Sequence, residues 1–149
     1  MSREEEFTPD DDLYKAIILE HYARPPHRGA LSDPTHYDEG INPSCGDEIE
    51  LYLKIHNDRI AEVSFEGVGC SICLASASML TNILRGKSVA EAREFREAFK
   101  AWITSRDPAP SPVDLDELEA LGGVRYYPVR IKCALLAWET FESALRKHS

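Results

Sequence analysis

Apolar and polar residues alternate from Ile49 to His56: Ile49, Leu51, Leu53 and Ile55 fall on one side, Glu50, Tyr52, Lys54 and His56 on the other. That period of two predicts a half-buried strand. Asn57-Asp58 reads as a tight turn, and Ile60, Val63 and Phe65 as a second strand in a hairpin with the first. Gly67-Val68-Gly69 either breaks that strand or begins a short third one. Helical spacing governs elsewhere. Leu13, Ile17 and Ile18, with Tyr14 and Tyr22 beside them, predict a first helix, opened by Asp10, Asp11 and Asp12 and stopped by Pro25, Pro26 and Gly29. Ile72, Ala75, Met79 and Ile83 share one face of a small-residue-rich helix over 71–85. Ser88 with Glu91 has the form of a capping box and opens a helix to about Trp102. A short helix is predicted over 114–121, stopped by Gly122-Gly123. Residues 126–130 read as extended, because Pro128 biases Tyr127 away from helix, and 131–146 as the last helix. Residues 30–46, with Pro34, Gly40, Pro43 and Gly46, read as loop. Residues 1–8 are charged and expected to fray, and the proline-rich stretch 107–112 reads as a linker inside the domain. The order predicts an α+β fold: a three-stranded antiparallel sheet with helices packed on one face.

The chain has 149 residues and is 43% hydrophobic, which suits one domain over 1–149 with a real core. Its formal net charge of -9 makes phosphate backbones poor partners, so nucleic acid is excluded as a ligand class. No stretch approaches the roughly 20 apolar residues that span a bilayer, and the acidic start has no apolar leader. The expected location is the cytoplasm. In a reducing compartment four cysteines read as metal ligands or reactive thiols rather than disulfides.

The placement of Cys45, Cys70, Cys73 and Cys133 matters more than their number. Cys45 precedes the first predicted strand and Asp47 follows two residues on. In an extended segment such residues point to the same side, so a thiolate and a carboxylate can reach one metal, with Gly46 allowing a tight turn and keeping bulk away. Cys70 stands where the strands end and a helix begins, and helix N–H groups favour a thiolate there. Cys133 is flanked by Arg130 and Lys132, whose cations act in the same direction. Cys45, Asp47, Cys70 and Cys133 make a four-coordinate set that zinc accepts and that also suits an iron–sulfur cluster. The competing reading of each cysteine alone is a small buried hydrophobe.

The words around these residues carry a resemblance. Asn42-Pro-Ser-Cys-Gly-Asp47, Gly67-Val-Gly-Cys-Ser-Ile-Cys-Leu-Ala-Ser-Ala-Ser78 and Pro128-Val-Arg-Ile-Lys-Cys133 resemble the IscU/NifU-like family of iron–sulfur cluster assembly proteins, as does the opening from Leu13 through His21 and Pro25 to Gly29. The chain looks most like the SufU branch, because the segment between Cys70 and Cys133 is long and Lys132 stands where the IscU branch has a histidine. The resemblance implies a zinc-dependent sulfurtransferase that acts with a pyridoxal-phosphate cysteine desulfurase of the SufS type and other SUF assembly proteins. Carried over, Cys45, Asp47, Cys70 and Cys133 are zinc ligands. Cys45 accepts the sulfur as persulfide, freed when a histidine of the desulfurase replaces it, and Arg130 orients the site or the partner. The alternative function is a scaffold on which a [2Fe–2S] cluster is built and handed on.

Two departures qualify the resemblance. Cys73 forms a C-x-x-C with Cys70 where the family has a small non-cysteine residue. It either reaches the site, pairs with Cys70, or is a buried side chain against Met79 or Ile72, and the last is expected because four ligands fill the site. Tyr126-Tyr127-Pro128-Val129-Arg130 replaces the IscU branch's chaperone-recognition segment. His21, His27, His36, His56 and His148 read as surface or helix-cap residues, and Trp102 and Trp138 as helix-packing residues.

Overall fold

The computed structural model describes residues 9–105, 111 and 113–148, with side chains from residue 14. The expected fraying of residues 1–8, the capping role of Asp10–Asp12 and the proline-rich linker (apart from Ser111) lie outside the described structure. Strands β1 (His36–Asn42), β2 (Asp47–His56) and β3 (Arg59–Val68) form one antiparallel sheet in the order β1-β2-β3. Helix α1 (Pro9–Ala23) precedes them. Helices α2 (Ser71–Leu84) and α3 (Val89–Thr104), a 3₁₀ segment (Asp116–Tyr126) and α4 (Pro128–Lys147) follow. The fold is α+β, as the sequence predicts. On β2 the alternation holds from Ile49 to Leu53: Ile49, Leu51 and Leu53 are buried beneath the helices, opposite Gly67, Phe65 and Val63 of β3, whereas the register shifts between Lys54 and Ile55 and Ile55 is only partly buried. The β2–β3 turn uses Asn57 and Asp58, both in the left-handed region (φ 50° and 65°), which matches the twist of a two-residue hairpin. The free edge of β3 is covered by residues 27–29, where the Gly29 N–H donates to the Phe65 carbonyl (2.8 Å) and the Phe65 N–H to the His27 carbonyl (3.2 Å).

Three expectations about the elements need correction. Residues 30–46 are not all loop, because 36–42 form β1. Its inward positions are Asp38, Gly40 and Asn42, whereas Ile41 points out and is 62% exposed, so no hydrophobic alternation marks it. The third strand therefore lies before the hairpin, and β3 runs on to Val68. The 3₁₀ segment passes through Gly122-Gly123 instead of stopping there. Finally, only Tyr127 is extended in 126–130 (φ −129°, ψ 93°), since Pro128 opens α4 as its first residue, where the missing N–H costs nothing.

Helix α2 is the centre of the helical layer. Eleven of its residues are buried, so small side chains at Ala75, Ser76, Ala77 and Ser78 admit neighbours on several sides. Its buried hydroxyls are satisfied: Ser76 donates to the Ala134 carbonyl (2.6 Å) and accepts from the Trp138 indole N–H (3.2 Å). His21 is buried instead of lying on the surface, with Nδ1 2.7 Å from Ser78 Oγ and Nε2 2.7 Å from Glu117 Oε1. It ties α1 to α2 and to the 3₁₀ segment. The capping box of α3 is present, with Ser88 N–H donating to Glu91 Oε1 (2.9 Å) and Glu91 N–H to Ser88 Oγ (3.1 Å). Trp138 is fully buried, stacks on Phe95 and lies tilted against Phe99, the packing role expected of it.

Helix α4 lies along the polar inner side of β1. His148 meets His36, Ser143 and Lys147 donate to Asp38, and Thr140 closes over Gly40. At the end of this row Cys133 meets Asn42. A Cβ on Gly40 would stand 2.2 Å from Thr140 Oγ1 and 3.1 Å from Leu136 Cδ1, so glycine is what lets helix and strand approach. Gly40→Ala is expected to pry α4 from β1 and cost about 1–3 kcal/mol, measured by urea unfolding; an unchanged midpoint would contradict that packing. For Asp38, burial pushes the carboxyl up, but bonds from Lys147, Ser143 and the Glu39 N–H outweigh it and hold it below the usual range. The unfolded chain then binds more protons in acid. The stabilisation is complete above the unfolded value of about 3.9 and is lost as pH falls through the lower native value. Asp38→Asn is expected to cost about 1–2 kcal/mol at neutral pH, with the difference from wild type shrinking below about pH 4.

Candidate metal centre

Three connections meet at one end of the sheet. Cys45 lies in the β1–β2 turn, where its N–H donates to the Asn42 carbonyl (3.3 Å) and Gly46 takes a left-handed φ of 68°. Cys45 and Asp47 do not converge by sharing the side of an extended segment, because the turn itself brings Cys45 over the end of β2. Gly46 serves only the turn, since a Cβ there would meet nothing within 4 Å. Asp47 is the first residue of β2, points inward and is fully buried. Cys70 is the N-cap of α2, and Cys133 faces inward from α4.

Donor atoms of Cys45, Asp47 and Cys133 all lie within 4.8 Å of one another, and the Cys133 and Cys45 sulfurs are 3.2 Å apart. Cys70 stands at the border of this group: its Sγ is 3.9 Å from Asp47 Oδ2 and accepts from the Cys73 N–H at 3.5 Å. None of the five histidines joins the group. Arg130 is exposed on the first turn of α4 and Lys132 is also exposed, so neither cation enters the cluster. Cys73 is fully buried in the core, as expected.

Asp47 is held from two sides. Its Oδ1 accepts from the Cys70 N–H (2.9 Å), and its Oδ2 from Asn42 Nδ2 (3.4 Å). Asn42 is buried, pairs directly with Asp47 across the β1–β2 ladder, and also directs Nδ2 at the Cys133 sulfur (3.7 Å). Sequence reading missed Asn42 as a site residue, because the strand that aims it carries no hydrophobic signal. Gly69 is the other missed residue. A Cβ there would lie 2.5 Å from Asp47 Oδ1, so only glycine lets the α2 N-terminus approach the carboxylate.

The electrostatics depart from the expectation of flanking cations that favour a thiolate at Cys133. Burial pushes the Cys133 thiol up, and its contacts with Cys45, Asp47 and Cys70 push it further. Burial acts likewise on Cys73, followed by the charge of Asp47, Cys70 and Cys45. Among the described residues, the flanking cations Arg130 and Lys132 are exposed and do not compensate the cluster. A soft divalent ion suits the Cys45, Asp47 and Cys133 donors, since thiolates and a carboxylate are ligands it accepts and its charge supports their ionised forms.

The family described as "NifU-like N terminal domain" matches residues 13–149. The zinc-dependent sulfurtransferase SufU of Bacillus subtilis (strain 168) is 40% identical over 137 residues, covering 92% of each chain. The iron–sulfur cluster assembly scaffold protein IscU of Streptococcus pyogenes serotype M1 is 38% identical over 135 residues, covering 91% of this chain and 84% of its own. A crystal structure of a candidate iron–sulfur cluster assembly scaffold protein for the SUF system, from Fervidobacterium islandicum AW-1, superposes with a TM-score of 0.79 at 28% identity. It covers 97% of this chain and 99% of that one.

Asn42→Ala removes the donor shared by Asp47 and Cys133 without touching a ligand atom. Zinc affinity is expected to fall about 10–100-fold in competition with a chromophoric chelator, while the fold survives by circular dichroism. Unchanged affinity would show that Asn42 does not orient the site.

Proposed function

Because the chain belongs to the NifU-like N-terminal domain family of iron–sulfur cluster assembly proteins, we propose that it accepts sulfur, as persulfide on Cys45, from a cysteine desulfurase. The observation that carries this reading is the asymmetry of the donor set. Asp47 and Cys133 are buried on a strand and a helix, whereas Cys45 sits half-buried on a turn. Cys45, Asp47, Cys70 and Cys133 would hold zinc. Bound zinc keeps the thiols deprotonated at neutral pH and shields them from stray oxidation. Three residues keep the site assembled while the fourth is free to react.

The transfer needs no net oxidant. The Cys45 thiolate attacks the terminal sulfur of the partner's cysteine persulfide. A new S–S bond forms at Cys45, the partner's S–S bond breaks, and the partner's cysteine leaves as thiolate. The Cys45 turn is where movement would come most easily, because Gly46 beside it has no Cβ to restrict the backbone. Arg130, exposed on the helix that carries Cys133, is assigned to docking the partner. The partner in this reading is a pyridoxal-phosphate desulfurase of the SufS type, named for its chemistry: it presents a persulfide to a half-buried thiol.

A cluster scaffold is the second reading, favoured by the IscU scaffold's 38% identity and by a thiolate set that iron also accepts. Lys132 favours the sulfur-transfer reading through the resemblance alone, since the IscU branch has a histidine at that position. Elemental analysis with a visible spectrum separates them: one colourless zinc per chain against a brown cluster.

The sulfur-transfer reading is tested by mass spectrometry after one turnover with desulfurase and cysteine, without reductant. A gain of one sulfur is expected on the peptide that contains Cys45, and Cys45→Ser is expected to accept none. With a thiol reductant, the zinc-loaded protein is expected to stimulate sulfide release. Extra sulfur on Cys133 or Cys73 with Cys45 unmodified would overturn the assignment, and absent stimulation would put the scaffold reading ahead.

A further inference from the structure

Cys73 has no part in the sulfur transfer, yet it is a buried thiol one helical turn from a half-buried one at the edge of the candidate metal centre. We propose that Cys70 and Cys73 are a reversible dithiol–disulfide pair, closed by hydroperoxide oxidants when the centre holds no metal. The pair is independent of the sulfur-transfer reading, except that closing it takes Cys70 out of the donor set on which that reading rests.

The geometry singles out this pairing. Cys70 is the N-cap of α2 and Cys73 its third residue, and the Cys73 N–H already donates to the Cys70 sulfur at 3.5 Å. The Cys70 sulfur thus lies over the turn from which the Cys73 side chain springs. Residues three apart on a helix have Cβ atoms about 5–6 Å apart, somewhat more than the roughly 3.8 Å of a disulfide. Cys70 stands outside the helix in extended backbone (φ −73°, ψ 165°), so it can close that gap without unwinding α2. The remaining two thiols are already matched, since the Cys45 and Cys133 sulfurs are 3.2 Å apart. The fourth cysteine therefore gives every thiol of the cluster a partner.

Exposure divides the roles. Cys70 is half-buried and reachable, whereas Cys73 is fully buried. The Cys70 thiolate attacks hydrogen peroxide: an S–O bond forms, the O–O bond breaks, and hydroxide leaves and takes a proton to become water. Cys73 then attacks the Cys70 sulfur. The S–S bond forms, the S–O bond breaks, and the Cys73 proton leaves with the second water. Two thiols are oxidised by two electrons and one peroxide is reduced to two waters. Cys73 is the resolving thiol, and its presence keeps Cys70 from the irreversible steps beyond sulfenic acid.

The test uses the full chain stripped of metal by a chelator under reducing conditions, then treated with hydrogen peroxide. Free thiols are blocked with iodoacetamide and the protein is digested with trypsin without reductant. Cleavage after lysine and arginine places Cys70 and Cys73 together in peptide 60–85, Cys45 in 29–54 and Cys133 in 133–146. The expected result is peptide 60–85 unblocked and lighter by two hydrogens, with both thiols regained on dithiothreitol. In Cys73→Ala the same peptide is expected to carry sulfinic acid on Cys70 that dithiothreitol does not reverse. Cys73 recovered as the blocked thiol, with Cys70 either free or joined to peptide 29–54 or 133–146, would overturn the pairing. Neither metal nor desulfurase is present, so a failed sulfur-transfer experiment leaves this result untouched.

Discussion

The buried carboxylate of Asp47 organises one end of this molecule. It receives the Cys70 N–H at one oxygen and the Asn42 amide at the other, and these residues come from two connections, the β1–β2 turn and the β3–α2 junction. A carboxylate with no exposed surface is tolerated only when such donors replace its water. The cost of burying Asp47 is therefore met by the same bonds that fix the β1–β2 turn and the start of α2 relative to each other. Gly69 belongs to this arrangement, because any side chain there would occupy the space of Oδ1.

The third connection reaches the site by a longer route. Helix α4 is aligned on β1 by polar contacts at Asp38, by the close approach at Gly40 and by the Asn42–Cys133 contact. Register on β1 therefore decides where the Cys133 sulfur arrives. The apolar packing of Trp138 on Phe95 and Phe99 holds the other side of α4. Stability far from the centre and ligand placement at it are two consequences of one helix–strand contact. Metal in the site would stabilise the chain in turn, since it binds only the assembled donors.

Much of this was legible in the sequence, for identifiable reasons. The β2 alternation, the Asn57-Asp58 turn and the Ser88–Glu91 capping box are local signals, and each appears in the structure. The three cysteine-bearing motifs marked the centre through their wording, more than through spacing. β1 was not legible, because the helix it faces is met by Asp38, Gly40 and Asn42 and not by apolar side chains. Asn42 and Gly69 were lost with it, as their roles exist only across strands. The partners of His21 lie 57 and 96 residues away in sequence, so nothing local distinguishes it from a surface histidine. Arg130 and Lys132 misled in the opposite sense: adjacency along the chain suggested cations at Cys133, but both side chains are exposed whereas Cys133 is buried.

The sulfur-transfer reading turns on whether Cys45, Asp47, Cys70 and Cys133 hold one metal together. X-ray absorption at the metal edge of the purified chain measures that shell directly. The expected result is zinc with three sulfur scatterers at about 2.3 Å and one oxygen at about 2.0–2.2 Å, the oxygen being lost or replaced in Asp47→Ala. A shell of four sulfurs would put Cys73 in the place given to Asp47, and a shell without sulfur would contradict the metal centre altogether.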